Sequence, residues 1–345
     1  MTDVESGTAP LPWQRAAWQQ LNAGAERGRL PHALLLSGVS GTGKRLFARA
    51  FAQRILCQAP EQGCACGVCR ACAQFQAGSH PDYHELGIPE DKTVITVPLV
   101  RELIGALSLT SQYGGRRVAL IEPADAMNTA AANALLKTLE EPGSDTLLML
   151  VTARPARLPA TIRSRCQVLR MLPPSADDAL AWLSAHAPRK DWPVLLGLAG
   201  NAPLAALRLA AAPESGTRLE MFHALADMAA GKLNPLGYAR EWSAKDADVL
   251  LILRLFQSWI MDLIALANGA DGAVINRDAM PLLQSTVQGI HLRGLHAMLA
   301  RLNEAVALTG TTVNRQLLME SLLMAWADGL KTLEAAPLAA RGTGT

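Results

Sequence analysis

The sequence has few aromatic residues and almost no excess of charge. Phe, Trp and Tyr make up 4% of its 345 residues, and 32 basic residues against 30 acidic ones leave a formal net charge of +2. Proteins that hold single strands use aromatic rings for base stacking, and electrostatic duplex binders carry a strong basic excess. The composition therefore argues against a module that binds nucleic acid on its own. A chain with this near-neutral net charge can still have a local basic face.

The sequence also lacks a secretory signal and an uninterrupted membrane span. The stretch MTDVESGTAP has neither the basic start nor the apolar core of a signal peptide. The longest apolar run, residues 249–267, contains Arg254, Gln257 and Asp262, which a packed amphipathic helix accommodates better than a bilayer does. Because half of the residues are apolar and 18% are charged, we expect a soluble, cytoplasmic protein of two or three globular domains.

The first region, residues 1–172, alternates short apolar runs with helical segments, which predicts a parallel α/β sheet. The continuous apolar runs HALLLSG, RRVALIEPAD and DTLLMLVTAR predict buried strands. KRLFARAFAQRIL and TAAANALLKTLEEP predict helices, the second capped by Thr129 and ended before Pro142.

Beyond the pair Pro173-Pro174 the chain becomes rich in Ala and Leu with helical spacing. We expect a small helical domain at 173–212, a break within AAPESGT, and a second helical domain of long amphipathic helices at 213–335. The tail 336–345, APLAARGTGT, is expected to be disordered.

The stretch GVSGTGK fits the phosphate-loop pattern G-x-x-x-x-G-K between a predicted strand and a predicted helix. Backbone N–H groups of such a loop cradle phosphates, and its lysine reaches the β- and γ-phosphates. The hydroxyl that should follow the lysine and ligate Mg²⁺ is replaced by Arg45, which has only donors and would repel the metal. The candidate phosphate-binding residues are Gly38, Gly41, Thr42, Gly43 and Lys44.

The strand that should supply the acidic metal ligand is altered as well. It ends in Glu122 followed by Pro123, and a proline cannot polarise a water molecule. A plainer interpretation is that Glu122 and Asp125 are solvated residues at a strand end. On either interpretation we expect no ATP hydrolysis by this chain, while nucleotide binding without hydrolysis stays open.

Five of the six cysteines lie within residues 57–72. Consecutive C-x-x-C steps at Cys66, Cys69 and Cys72 are typical of a structural zinc site, which takes four thiolates in a tetrahedron. The spacing alone allows either Cys57 or Cys64 as the fourth ligand.

Together these motifs resemble bacterial clamp-loader subunits of the AAA+ class. The resemblance rests on the phosphate loop, the cysteine insertion, NALLKTLEEP, LLMLVTA and LPATIRSRCQVL, and it continues more faintly through GLAGNAPLAALRL and VNRQLLMESLLMAWADGL. It implies a fold of class α/β plus all-α: a RecA-like AAA+ domain with a zinc module at about 57–72, a small helical lid, and a C-terminal helical collar.

Within that family the chain resembles a subunit that has lost hydrolysis more than it resembles the ATPase subunit tau/gamma. The ATPase would keep Ser or Thr after the loop lysine, an Asp-Glu strand end, and a nucleotide-sensing Arg where this chain has Pro203. The family pattern also selects Cys57, with Cys66, Cys69 and Cys72, as the zinc ligands, which leaves Cys64 as an extra cysteine.

One chemical element of the family is intact, the motif Ser164-Arg165-Cys166. The resemblance implies that Arg165 reaches into the ATP site of a neighbouring subunit, where a positive charge stabilises the charge that develops on the γ-phosphate. Arg163, two residues earlier, is a competing candidate.

The resemblance implies a largely non-hydrolysing subunit of the DNA polymerase III holoenzyme. It would assemble through the collar with tau/gamma and delta subunits and help to load the sliding clamp (beta) onto primed DNA. An active clamp-loader ATPase like tau/gamma is the alternative.

Overall fold

The computed structural model describes residues 7–143, 145–212, 216–288, 290–309 and 313–328. The chain forms two compact units. The first comprises the residues up to Trp182 together with Asn201–Ala205, and the second comprises Leu183–Gly200 and the residues from Ala206 onward. The predicted tail 336–345 lies outside the described residues.

The first unit contains a five-stranded, all-parallel sheet with the strand order β2-β3-β4-β1-β5. Because parallel strands end at a common edge, the loops that follow β1, β3 and β4 meet there. The strands are β1 (Ala33–Ser37), β2 (Tyr83–Leu86), β3 (Arg117–Ile121), β4 (Thr146–Thr152) and β5 (Gln167–Arg170).

Both faces of the central strands are buried, as their continuous apolar sequences predict. Successive residues point to opposite faces, so Leu34 packs in a core cluster with Phe47 and Phe51, whereas Leu35 packs in a separate cluster with Leu135. Helices therefore cover the sheet on both sides.

The helices up to residue 211 are α1 (Arg15–Glu26), α2 (Lys44–Leu56), α3 (Arg70–Gln76), α4 (Val97–Ser108), α5 (Thr129–Glu140), α6 (Ala160–Arg163), α7 (Ala176–His186), α8 (Trp192–Leu198) and α9 (Pro203–Ala211). Helices α1 to α6 belong to the first unit and α8 to the second, while α7 and α9 each contain residues of both. The predicted cap of α5 is wrong by one position. Asn128 is the N-cap, and its side-chain oxygen accepts the N–H of Ala131 at 2.8 Å, while Thr129 is the first helical residue.

The remaining helices belong to the second unit and share one apolar core that includes Phe256, Trp259 and Trp326. Their bounds are α10 (Arg218–Ala229), α11 (Pro235–Trp242), α12 (Val249–Ala267), α13 (Met280–Val287), α14 (Leu292–Leu308) and α15 (Arg315–Ala327). The stretch AAPESGT leads into α10, but residues 213–215 within it lie outside the described part of the chain.

Helix α12 is long and apolar enough to cross a membrane, yet 61% of that apolar segment is buried inside the protein. Its acidic residue Asp262 is 1% exposed and accepts the backbone N–H groups of Ile275 and Asn276 at 2.8 Å each. A carboxylate that is hydrogen-bonded inside a core is typical of a packed helix, as the sequence predicts.

Candidate functional site

The phosphate loop joins β1 to α2, as the motif predicts. Gly43 caps α2 in the left-handed conformation, with φ +84°, and Gly41 has the same φ. At Gly38 a Cβ atom would lie 2.1 Å from the carbonyl oxygen of Met171, so no side chain fits there. The glycines therefore give the loop its shape.

Residues of the first unit hold the loop from outside. Trp13 donates its indole N–H to the carbonyl of Thr42 at 3.0 Å, and the amide of Gln14 donates to the same carbonyl at 2.9 Å and to that of Gly43 at 3.0 Å. The backbone N–H of Leu204 donates to the carbonyl of Gly41 at 3.1 Å. Three loop carbonyls thus have partners from other segments of the chain.

The side chain of Lys44 is turned back onto the loop. The residue is 6% exposed, and its Nζ donates to the carbonyl of Val39 at 2.7 Å. Thr42 is fully buried, and its hydroxyl donates to the same carbonyl at 3.1 Å.

Arg45 is held by two carboxylates from neighbouring strands. Its guanidinium lies 2.8 Å from Glu85 on β2 and 3.3 Å from Glu122, which follows β3. Glu85 also pairs with Arg49 at 2.8 Å. Burial alone would lower the pKa of Arg45, but Glu85 and Glu122 raise it, so the guanidinium stays charged. A positive side chain therefore lies between the loop and the acidic strand ends, where an ATPase would bind its metal.

Asp125, the other acidic group at this edge, is buried rather than solvated. Its side chain is 2% exposed, accepts the hydroxyl of Thr152 at 2.6 Å and pairs with Arg154 at 2.8 Å. The interpretation of Asp125 as a solvated residue is thus wrong, because both of its oxygens are bound by residues that follow or end β4.

Arg165 lies just after α6 with its side chain 35% exposed. Its Nη2 donates to Glu140 at 2.5 Å, and its Nη1 donates to the carbonyl of Thr161 at 3.1 Å. Ser164 caps the end of α6, and its hydroxyl donates to the same carbonyl at 3.1 Å. The guanidinium is therefore ordered and reaches the surface.

The neighbours of Arg165 are placed differently. Cys166 is 8% exposed and packs in the same core cluster as Ile162, and burial raises the pKa of its thiol to about 11. Arg163 is exposed and pairs with no residue in the described part of the chain. The motif thus contains a packing cysteine, a capping serine and an accessible arginine.

The four cysteines of the predicted zinc set come together. The sulfur atoms of Cys57, Cys66, Cys69 and Cys72 lie within 4.8 Å of one another, and the individual contacts are 3.6, 3.9 and 4.0 Å. A tetrahedral zinc with bonds of about 2.3 Å spaces its sulfurs by about 3.8 Å. The cluster can therefore hold a metal ion of that size.

Backbone N–H groups support the cluster. Cys66, Cys69 and Cys72 each donate an N–H to the preceding sulfur of the set at 3.3 to 3.4 Å. Burial raises the pKa of Cys57 and raises that of Cys72 to about 12. Burial opposes ionisation of Cys69 too, but hydrogen bonds, chiefly from the Cys72 N–H, lower the pKa of Cys69 to about 6. A bound cation is what would make all four sulfurs thiolates at neutral pH.

Cys64 stands apart from this set. It forms an isolated backbone bridge with Glu61, and its side chain packs against the core that contains Trp18. The choice between Cys57 and Cys64, which spacing leaves open, therefore favours Cys57 on geometry.

Sequence reasoning missed the residues that hold these groups. Glu85 binds Arg45 across 40 positions, Glu140 binds Arg165 across 25, and Gln14 binds the phosphate loop across 28. The motifs contain no signal for such long-range partners.

A parallel sheet in this order, a phosphate loop after β1 and a four-cysteine module define a subunit of the AAA+ clamp-loader class. Two family models match the chain, "DNA polymerase III, delta subunit" over residues 13–175 and "DNA polymerase III, delta subunit, C terminal" over residues 215–328.

The comparison with curated proteins is more specific. DNA polymerase III subunit delta' of Pseudomonas aeruginosa is 36% identical over 92% of this chain and 97% of its own length. Subunit delta' of Escherichia coli is 34% identical over 91% and 94%. Subunit tau of Escherichia coli is 35% identical over 41% of this chain, but only 22% of tau is covered. The chain belongs to the delta' family of DNA polymerase III clamp-loader subunits.

Among solved structures, a gamma-subunit-related protein from Thermotoga maritima covers 90% of this chain and 99% of its own, with 17% identity and a TM-score of 0.45.

Proposed function

We propose that this chain serves the clamp loader as a subunit that does not hydrolyse ATP and that completes the ATP site of a neighbouring tau/gamma subunit with Arg165. The observation that carries the first half is the position of Arg45 between Glu85 and Glu122. A guanidinium there repels Mg²⁺, and without the metal a phosphate loop loses most of its charge stabilisation.

The second half rests on Arg165. Its guanidinium is ordered and accessible, and its partners among the described residues are Glu140, Thr161 and Ser164, none of which belongs to the phosphate loop. An arginine supplied to a γ-phosphate in trans raises the rate by about 10³- to 10⁵-fold in the GTPases where this has been measured.

The rival proposal is an active ATPase of the tau/gamma type. It requires Mg²⁺ binding without the usual hydroxyl, next to a charged guanidinium and with Glu122 already in an ion pair. Steady ATP turnover by the purified chain, abolished by Lys44→Ala, would favour it.

The test is ATP hydrolysis by the reconstituted loader with clamp and primed DNA, comparing the intact chain with Arg165→Ala. Arg163→Ala is the matched control, because it removes an exposed arginine two positions away that has no ion-pair partner in the described ranges. We expect Arg165→Ala to lower turnover with assembly intact and Arg163→Ala to leave it unchanged. Unchanged turnover in Arg165→Ala would refute the proposal that this subunit supplies an arginine finger, meaning a guanidinium that contacts the γ-phosphate in the neighbouring subunit.

The metal, the domain roles, the partners and the cellular location of this chain are part of the same proposal. The four-cysteine cluster would hold one structural Zn²⁺, since four thiolates leave no coordination position for a substrate. Residues 1–172, 173–212 and 213–335 would act as AAA+ domain, lid and collar, and the collar would join tau/gamma and delta subunits. The protein would work in the cytoplasm, and the sliding clamp and primed DNA would be partners of the assembled complex.

A further inference from the structure

The ion pair between Arg165 and Glu140 joins two segments of the proposed trans-acting site. Glu140 is the last residue of α5, and Arg165 follows α6. Their side chains meet at 2.5 Å, and neither is buried, with exposed fractions of 51% and 35%. The pair is therefore too exposed to be explained by core packing.

Glu140 is unfavourably placed as a helical residue. The C-terminal end of a helix carries a partial negative charge and favours Lys or Arg, yet α5 ends in Glu140 and its C-cap is Glu141. Lys137 is the basic residue in the last turn of α5, and the guanidinium of Arg165 adds a second positive charge directly at Glu140. Glu141, the C-cap, is exposed and pairs with no residue that the structure describes, so it is a neighbouring glutamate that does not reach the arginine.

The acceptors around Arg165 leave part of its guanidinium available. Of its five N–H groups, those on Nη1 are directed to Thr161 and, at the limiting distance of 3.5 Å, to Ser164, and one on Nη2 goes to Glu140. The N–H on Nε and the second N–H on Nη2 donate to no residue in the described ranges. A phosphate oxygen can bind these two groups while Glu140 keeps its own contact.

We infer that Glu140 is a positioning residue for the finger, an inference that rests on the proposed function. An arginine side chain has many rotamers, and a finger that must be ordered at each encounter loses rate to that ordering. Glu140 and the Thr161 carbonyl fix the guanidinium in one orientation before the neighbouring subunit arrives. Glu140 touches no substrate and acts through Arg165.

The test measures clamp- and DNA-stimulated ATP hydrolysis in the reconstituted loader. The difference in turnover between the intact chain and Arg165→Ala is the part that depends on Arg165. We expect Glu140→Ala to lower kcat for this part about fivefold, which is about 1 kcal/mol at 1.36 kcal/mol per tenfold, with KM for ATP nearly unchanged. Glu140→Gln, which keeps an acceptor oxygen without the charge, should lie between. Glu141→Ala should match the intact chain.

The double variant separates positioning from a structural role. If Glu140 acts through the finger, Glu140→Ala has no further effect in the Arg165→Ala background. The positioning role would be overturned if Glu140→Ala lowered kcat equally in the Arg165→Ala background. It would also be overturned if Glu140→Ala left kcat intact while Arg165→Ala lowered it. Either result would leave the role of Arg165 as the finger unaffected. Unchanged turnover in Arg165→Ala would instead overturn the proposed function, and this inference with it.

Discussion

Replacing Cys57 by Ala tests the metal site more sharply than removal of any other ligand. Cys57 lies nine residues before the C-x-x-C steps, at the end of α2, and its sulfur contacts those of Cys66 and Cys69 at 3.6 and 3.9 Å. Cys64 lies closer in sequence to those steps but packs against a different core. Cys64→Ala is therefore a matched control that removes a thiol from the same loop.

The magnitude follows from the number of ligands. Structural zinc is bound in small domains with an apparent free energy of about 10–16 kcal/mol at pH 7. If four equivalent thiolates share it, each contributes about 2.5–4 kcal/mol, which is about 10²- to 10³-fold in affinity. We expect Cys57→Ala to weaken zinc binding by that factor and Cys64→Ala to leave it unchanged.

The assay is metal content of the purified chain, followed by competition for zinc with a chromophoric chelator. The intact chain and Cys64→Ala should each hold one zinc per chain. An equal loss of zinc in the two variants, or a loss of zinc in Cys64→Ala alone, would refute the ligand set of Cys57, Cys66, Cys69 and Cys72. An intact chain that retains much less than one zinc would refute the metal site itself.

Two further predictions concern Arg45 and His80. Arg45→Thr restores a hydroxyl after the loop lysine, but we expect no ATP turnover from the purified chain, because Pro123 still stands where a water-activating residue is needed; a rise in turnover on this change would contradict us. His80 is 4% exposed and burial lowers its pKa below 6.5, so the neutral ring stabilises the fold above pH 6.5 and that stability is lost as the pH falls through the lowered pKa. Denaturant unfolding at pH 7.5, 6.5 and 5.5 should show the decline, and His80→Asn should reduce it; an equal slope in the variant would assign the decline to other groups.

Much of the α/β region could be predicted from the sequence because its signals are local. Strands β1, β3 and β4 are continuous apolar runs buried on both faces, and α2 spans the residues that the motif indicates. Strands β2 and β5 carry no such run. The four residues of β2 are only half-buried and β5 is mostly exposed, so their sequences resemble loops.

The site shows the same division. The phosphate loop and the C-x-x-C steps are spaced by local turn geometry, so their residues could be named in advance. The partners that determine what those residues do come from other strands and helices, as Glu85 does for Arg45 and Glu140 for Arg165. The sequence places the cap of α5 one position too late for a smaller reason: Asn128 and Thr129 are both capping residue types, and only the backbone decides between them.

Trp13, Gln14 and Leu204 bind the carbonyls of the phosphate loop as an intramolecular ligand would. An intramolecular ligand has a fixed and high effective concentration, which does not follow the supply of any metabolite. The shape of this loop should accordingly be the same whether ATP in the cell is plentiful or scarce. Under the proposed function, this loop would keep one shape while a neighbouring subunit binds and hydrolyses ATP.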